Sequence, residues 1–481
     1  MAIDDRSWVL ACNRFGYGVR PGEDRPENDV RAALLAEISD PLATRMDADL
    51  PSTADLLKTV FAYNEERRLE REQAAIAQLA TSAMPAPNVA ELLFPPKPAP
   101  DPAMPMAKPE PPPQQKAFQA DALARVHRAT SARMGFAERL VAFWSNHFCV
   151  SAAKSEIGRA AAGAFEREAI RPHVLGRFSD MLLAVERHPV MLNFLDNAQS
   201  IGPNSVAGHN SKAGLNENLA REIMELHTMG VGSGYTQQDV TQLAYILTGW
   251  TLAGRDGKLG DPGTFVFHAN AHEPLAAVVR DRLYMQEGVE QGVAALRDLA
   301  AEPATARHIA FKFARHFVAD APDPALVQRL AKVFADTDGD LGLLARALVT
   351  DDAAWRAPAT KIRNPWEVTI AAHRAFRRDL KDPGQPLNAL NLLGMPLWQP
   401  AGPNGFPDDV AAWTSPEGVK TRVELAVQFA RQAKDAPKPL DLMQSVLGPQ
   451  TSEATREALS RAESEEQAYA LLLLSPEFQR R

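Results

Sequence analysis

Cysteine is almost absent from the sequence: Cys12 and Cys149 are the only two in 481 residues. A disulfide framework is therefore excluded, and neither thiol stands in a Cys-x-x-Cys or Cys/His zinc spacing. Positive charge is short as well, with 52 Lys and Arg against 60 Asp and Glu and a net charge of −8. That leaves no basic footprint for nucleic acid. No run of apolar residues is long enough to span a membrane. The apolar run behind Asp4 and Asp5 is too short for a signal-peptide core, so the expected location is the cytoplasm. A Gly-x-Ser-x-Gly elbow, a P-loop and any repeat of roughly 20–50 residues are also missing.

What remains is a globular composition, 45% apolar and 23% charged, on a chain long enough for two or three structural units. Three segments are expected. Residues 1–83 form an N-terminal helical arm, 84–115 a Pro-rich linker or surface excursion, and 116–481 the main helical domain. The run PPKPAPDPAMPMAKPEPPP lacks the backbone donors for helix or sheet. The charged middle of the 55–83 helix, with alternating signs, reads as a solvated face. Elsewhere apolar residues recur at helical spacing between Gly, Pro and Asp breaks, and Thr264–His268 (TFVFH) is the one expected strand. The expected class is all-α, a multi-helix globular array with at most a very short β element.

Residues 215–250 (LNENLAREIMELHTMGVGSGYTQQDVTQLAYILTGW) concentrate the chemistry. A regular helix, at about 100° per residue, puts Glu217, Asn218, Arg221, Glu222 and Glu225 on one arc and His227 on another face. The Glu–His spacings of two, five and ten residues then exclude a one-face ligand pair. Two readings of the arc stand side by side. In one, Arg221 pairs with Glu217 and Glu225 at i−4 and i+4. In the other, Glu222 and Glu225 face a cleft as an acid/base pair or as metal ligands. Thr236 with Asp239 forms a variant capping box that restarts the chain as a second helix, folded back on the first. His147, on an aromatic-rich helix, and His227 read as core histidines or as borrowed ligands. His268 and His272 follow the strand in a loop, the usual setting for ligands. Cys149 reads as a buried, inert thiol.

The same stretch carries a resemblance. Asn216 to Glu222, Glu225 to Thr228, Gly234-Tyr235-Thr236-Gln237 and Leu247-Thr248-Gly249-Trp250 resemble the bacterial "domain of unknown function 1800" family. So do Phe143-Trp144-Ser145-Asn146-His147-Phe148, Leu195-Asp196-Asn197, Phe267 to His272 and, more loosely, Gly402-Pro403-Asn404-Gly405, where Phe406 replaces a tryptophan. The resemblance implies a mostly helical fold with no established reaction. By association in the family it also implies a phosphatase- or sulfatase-like protein partner. The catalytic candidates are Glu222, Glu225, Arg221 and His227. The binding candidates are Asn216, Glu217, Asn218, Asn146, Asp196 and Asn197. His147, His272 and Glu225 are the candidate ligands of a divalent metal. Metal-assisted hydrolysis is the most economical chemistry for such a cleft. The alternative is a non-catalytic accessory protein whose polar cluster is an internal ion-pair network.

Overall fold

Helix-forming residues on an apolar 3.6-residue spacing drive most of the chain into helices, and local caps set where they begin. The computed structural model describes residues 5–23, 25–26, 29–46, 48–82, 110–210, 214–433 and 435–481, with the side chains of 80–82 left aside. Within these residues the fold is predominantly helical, as the all-α reading expected. Asp29 and Ser155 cap their helices through the side chain, while Thr236 with Asp239 and Asn364 with Glu367 form reciprocal capping boxes. The expected Pro-rich segment lies, over 84–109, outside the described residues, and a helix runs from Pro113 to Ser131.

The β content of the described residues is two antiparallel pairs of three-residue strands. Phe265–Phe267, inside the expected TFVFH strand, pairs with Trp250–Leu252, so Trp250 opens a strand and does not close the helix before it. The second pair, Ala277–Val279 with Arg282–Tyr284, was not expected. Its turn uses Arg280 (φ 47°) and Asp281 (φ 62°) in left-handed positions, where a hairpin ordinarily takes Asn or Gly. A hydrogen bond from the Arg280 N–H to Asp239 Oδ1 (2.7 Å) helps hold that turn.

Trp8, Phe15, Leu34 and Leu57 of the first helices share one core with Phe136, Trp144, Phe178 and Phe313. Phe136 meets Phe15 and Phe317 edge-on, with ring centroids 5.5 and 5.6 Å away. A second core gathers Ala375, Phe376, Phe429, Leu442, Leu472 and Phe478 of the C-terminal helices. The helix Pro365–Ala375 serves both, Trp366 and Ile370 facing the first and Ala371, Ala372 and Ala375 the second. The long helix Thr53–Ser82 buries Leu57 and Val60 near its start, and further along its charged middle is exposed, Arg68 pairing with Glu65 and Glu72.

Two π turns, Glu166–Ile170 and Ile223–His227, interrupt otherwise regular helices. Bonding from i to i+5 places residues five apart over one another, a juxtaposition that an α-helix does not make. At the first turn Arg171 therefore lies over Glu166 at 3.0 Å, while Glu138 takes the other side of the guanidinium at 2.8 Å. All three side chains are buried, and only this mutual pairing makes such burial tolerable. The second π turn falls in the middle of the polar stretch.

Candidate functional site

Glu217, Arg221 and Glu225 satisfy one another. Arg221 contacts Glu217 at 3.2 Å and Glu225 at 3.5 Å, the i±4 pairing the sequence allowed. Glu217 also accepts from Thr241 Oγ1 (2.6 Å) and Gln237 Nε2 (2.8 Å) on the following helix, and these bonds hold its carboxyl below the usual range. The Tyr235 hydroxyl donates to Glu225. This part of the arc is a partly exposed network that staples the second helix onto the first.

Glu222 is different. It is half-buried and has no hydrogen bond or ion pair among the described residues. Burial raises its pKa, as does the neighbouring Glu225 carboxylate, while His227 and Arg221 act in the opposite sense. The exclusion of a one-face Glu–His pair is corrected here. It assumed a regular helix, but Thr228 N–H bonds to the Ile223 carbonyl (2.9 Å) in π fashion, so the regular spacing does not hold here, and His227 is near enough to favour the ionised form of Glu222. Behind His227 stands Glu186, the last residue of the helix Phe178–Glu186, with Oε1 2.8 Å from His227 Nδ1. Both side chains are inaccessible to solvent. The carboxylate fixes the proton on Nδ1 and leaves Nε2 as a buried nitrogen with no hydrogen-bond partner among the described residues. Sequence reasoning missed Glu186. Its signal was a single charge closing an otherwise apolar segment, MLLAVE.

A second set of groups surrounds this dyad. His147 Nε2 lies 3.1 Å from the His227 carbonyl and so carries the proton, which leaves Nδ1 to accept from Lys312 Nζ at 2.8 Å. His308 Nε2 donates to the Leu226 carbonyl at 3.2 Å. Its ring packs so closely on Gly230 (φ +88°) that a Cβ there would stand 2.7 Å from Nδ1. His308, Lys312 and His316 recur every four residues on the helix Pro303–Phe317 and so share one face. That i, i+4, i+8 stripe is visible in the sequence. Burial pulls His308 down to about 4 and Lys312 down to about 8, so the lysine titrates close to neutrality. Burial also lowers His147, reinforced by Lys312, His227 and His308, and keeps it neutral. The Cys149 thiol, pushed up to about 12 by burial, donates to the Pro403 carbonyl at 3.2 Å and is inert, as expected.

The remaining candidates organise the backbone. Asn216 Oδ1 accepts from the exposed Asn218 N–H (2.9 Å), and its Nδ2 reaches the Asp196 carbonyl (3.3 Å). Asp196 sits at φ 58° and pairs with Lys154 at 2.8 Å. Asn197 is buried and donates to the Leu247 and Trp250 carbonyls (3.1 and 3.0 Å). Asn146 clamps the 402–406 loop by exchanging two hydrogen bonds with the Phe406 backbone (2.9 and 2.8 Å). Gly405 is needed there, since a Cβ would come within 2.4 Å of the Asn146 carbonyl oxygen. His147 uses both ring nitrogens in other bonds, and His272 Nδ1 is 2.9 Å from the Thr248 carbonyl. Among the described residues no group of three or more His, Cys, Asp or Glu side chains is placed to hold a metal ion.

No curated protein and no solved structure matches the chain. Residues 10–480 match the model of the family described as "protein of unknown function (DUF1800)", and the chain belongs to that family.

Proposed function

We propose that this protein is an enzyme of the general acid–base type, hydrolytic in class, in which Glu222 exchanges the proton with the substrate. His227, oriented by Glu186, is the imidazole partner, and the Lys312–His147 pair holds the turn that carries it. The observation that carries this reading is Glu222 itself, a half-buried carboxylate left without a hydrogen bond beside three fully paired neighbours. A folded chain keeps such a group at a cost in stability, and groups kept in that way concentrate at sites of reaction. A carboxyl whose pKa is raised by burial, near an imidazole, is suited to protonating a leaving group while water attacks.

The test is hydrolysis of a panel of chromogenic esters, phosphomonoesters and glycosides by wild type, Glu222→Gln and Glu217→Gln. Any turnover should fall by about 10²–10⁴ in Glu222→Gln, the usual worth of one acid–base group, and stay nearly unchanged in Glu217→Gln. An activity that survives intact in Glu222→Gln and in His227→Gln would exclude this assignment.

A further inference from the structure

A cavity of about 60 Å³, large enough for several water molecules, lies against the Phe136–His147 helix, where Ala142, Ser145 and Asn146 line it together with Cys149 just beyond the helix. Its walls are mainly apolar, formed by Ala142, Leu390, Leu397 and the rings of Trp366 and Trp398, and the partly exposed Met395 and Phe406 open it to solvent. Two guanidinium groups reach it, those of Arg125 and Arg139.

We propose that this cavity binds a small carboxylate with an apolar body, gripped by Arg125. The side chain of Arg125 is 9% exposed and its Nε lies 2.8 Å from Glu166. The guanidinium is stacked 4.3 Å from the centre of the Trp366 ring and 5.5 Å from that of Trp398. Its two terminal nitrogens have no hydrogen-bond partner among the described residues, and Arg139 Nε is buried without one. The carboxylates of the neighbourhood are already occupied. Glu166 takes Arg125, Arg171, Ser145 and Trp398; Asp408 takes His316 and Lys361; Glu367 takes Arg139 and Arg481. Besides Glu367 Oε1, an ion-paired acceptor buried without a hydrogen bond, what the cavity has left over is the donors of Arg125 and Arg139. A guanidinium held rigid at Nε and flanked by rings offers its terminal N–H pair as a fork, the geometry that a carboxylate accepts in bidentate fashion. The apolar walls call for a hydrocarbon or aromatic body behind that headgroup, as ligand pockets commonly do. Glu222 does not line this cavity, and binding there does not depend on the acid–base reading.

Isothermal titration of the full chain with benzoate, and with benzamide as its uncharged counterpart, tests the proposal. Benzoate should bind with a dissociation constant of about 1 mM or tighter, and benzamide at least about tenfold more weakly. Arg125→Lys keeps a charge for Glu166 but loses the fork, and should weaken benzoate by about tenfold or more. Ala142→Leu fills the cavity and leaves Arg125 untouched, so it should abolish binding with the melting temperature retained. No benzoate binding by the folded wild type, equal binding of benzamide, or full affinity in Ala142→Leu would each overturn it.

Discussion

Replacement of Glu186 separates the geometry of the dyad from its charge. Glu186→Ala removes the acceptor 2.8 Å from His227 Nδ1 and leaves that N–H buried in a site with no solvent access. An unpaired buried donor costs about 1–3 kcal/mol, and the space vacated by the side chain adds roughly another 1 kcal/mol. Part of this is returned, because Glu186 Oε2 is itself buried without a partner. A net loss of about 1–3 kcal/mol follows. Unfolding entropy of about 2.1 cal/mol/K per residue makes roughly 1 kcal/mol/K over 481 residues, so the melting temperature should fall by about 1–3 °C. If the main core melts apart from the C-terminal helices, the shift is larger. Glu186→Gln keeps an oxygen at the same place and should stay within about 1 kcal/mol of wild type. Differential scanning calorimetry and urea unfolding read both variants. The reasoning is refuted if Glu186→Ala is as stable as Glu186→Gln, because the hydrogen bond to His227 would then contribute nothing.

Arg221→Ala cuts the network joining Glu217, Glu225 and Gln237, but at a partly exposed face. It should cost no more than about 1 kcal/mol in urea unfolding, less at high salt; a loss several times larger would show that the arc is a buried support. Lys312 gives a pH test. Its amine is drawn down to about 8 from an ordinary 10.5, so between those values the unfolded chain binds a proton that the native protein does not. Native stability therefore rises with pH through that window, and Lys312→Met should lose the rise. Urea unfolding of both proteins at about pH 8 and about pH 10 should show their stability difference shifting in favour of wild type; a constant difference contradicts the burial of the amine.

The helical class, the capping boxes at Thr236 and Asn364 and the i±4 pairing of Arg221 were legible because each depends on neighbours within one turn. The hairpin at Arg280 and Asp281 was not, since its turn residues lack the Gly or Asn that marks such turns. The π turn was hidden for a different reason. Its extra residue per turn leaves no mark in composition, yet it rotates everything after Ile223 and so brings His227 round toward Glu222. Glu186 joins them from 41 residues away, by a contact that no local pattern encodes. Lys312 and His308 lay in plain view as a four-residue stripe, but their meaning depends on the His147 ring and the Leu226 carbonyl opposite.

The proposed chemistry depends on the influence of His227 on Glu222 across that π turn. Protein labelled with ¹³C at the glutamate carboxyl, with the Glu222 signal identified by its loss in Glu222→Gln, can be titrated by NMR. Glu222 should titrate above the usual carboxylate range, and higher still in His227→Gln, where the neighbour that favours its ionised form is gone. An ordinary value, unmoved by His227→Gln, would contradict the pairing on which the proposed chemistry depends.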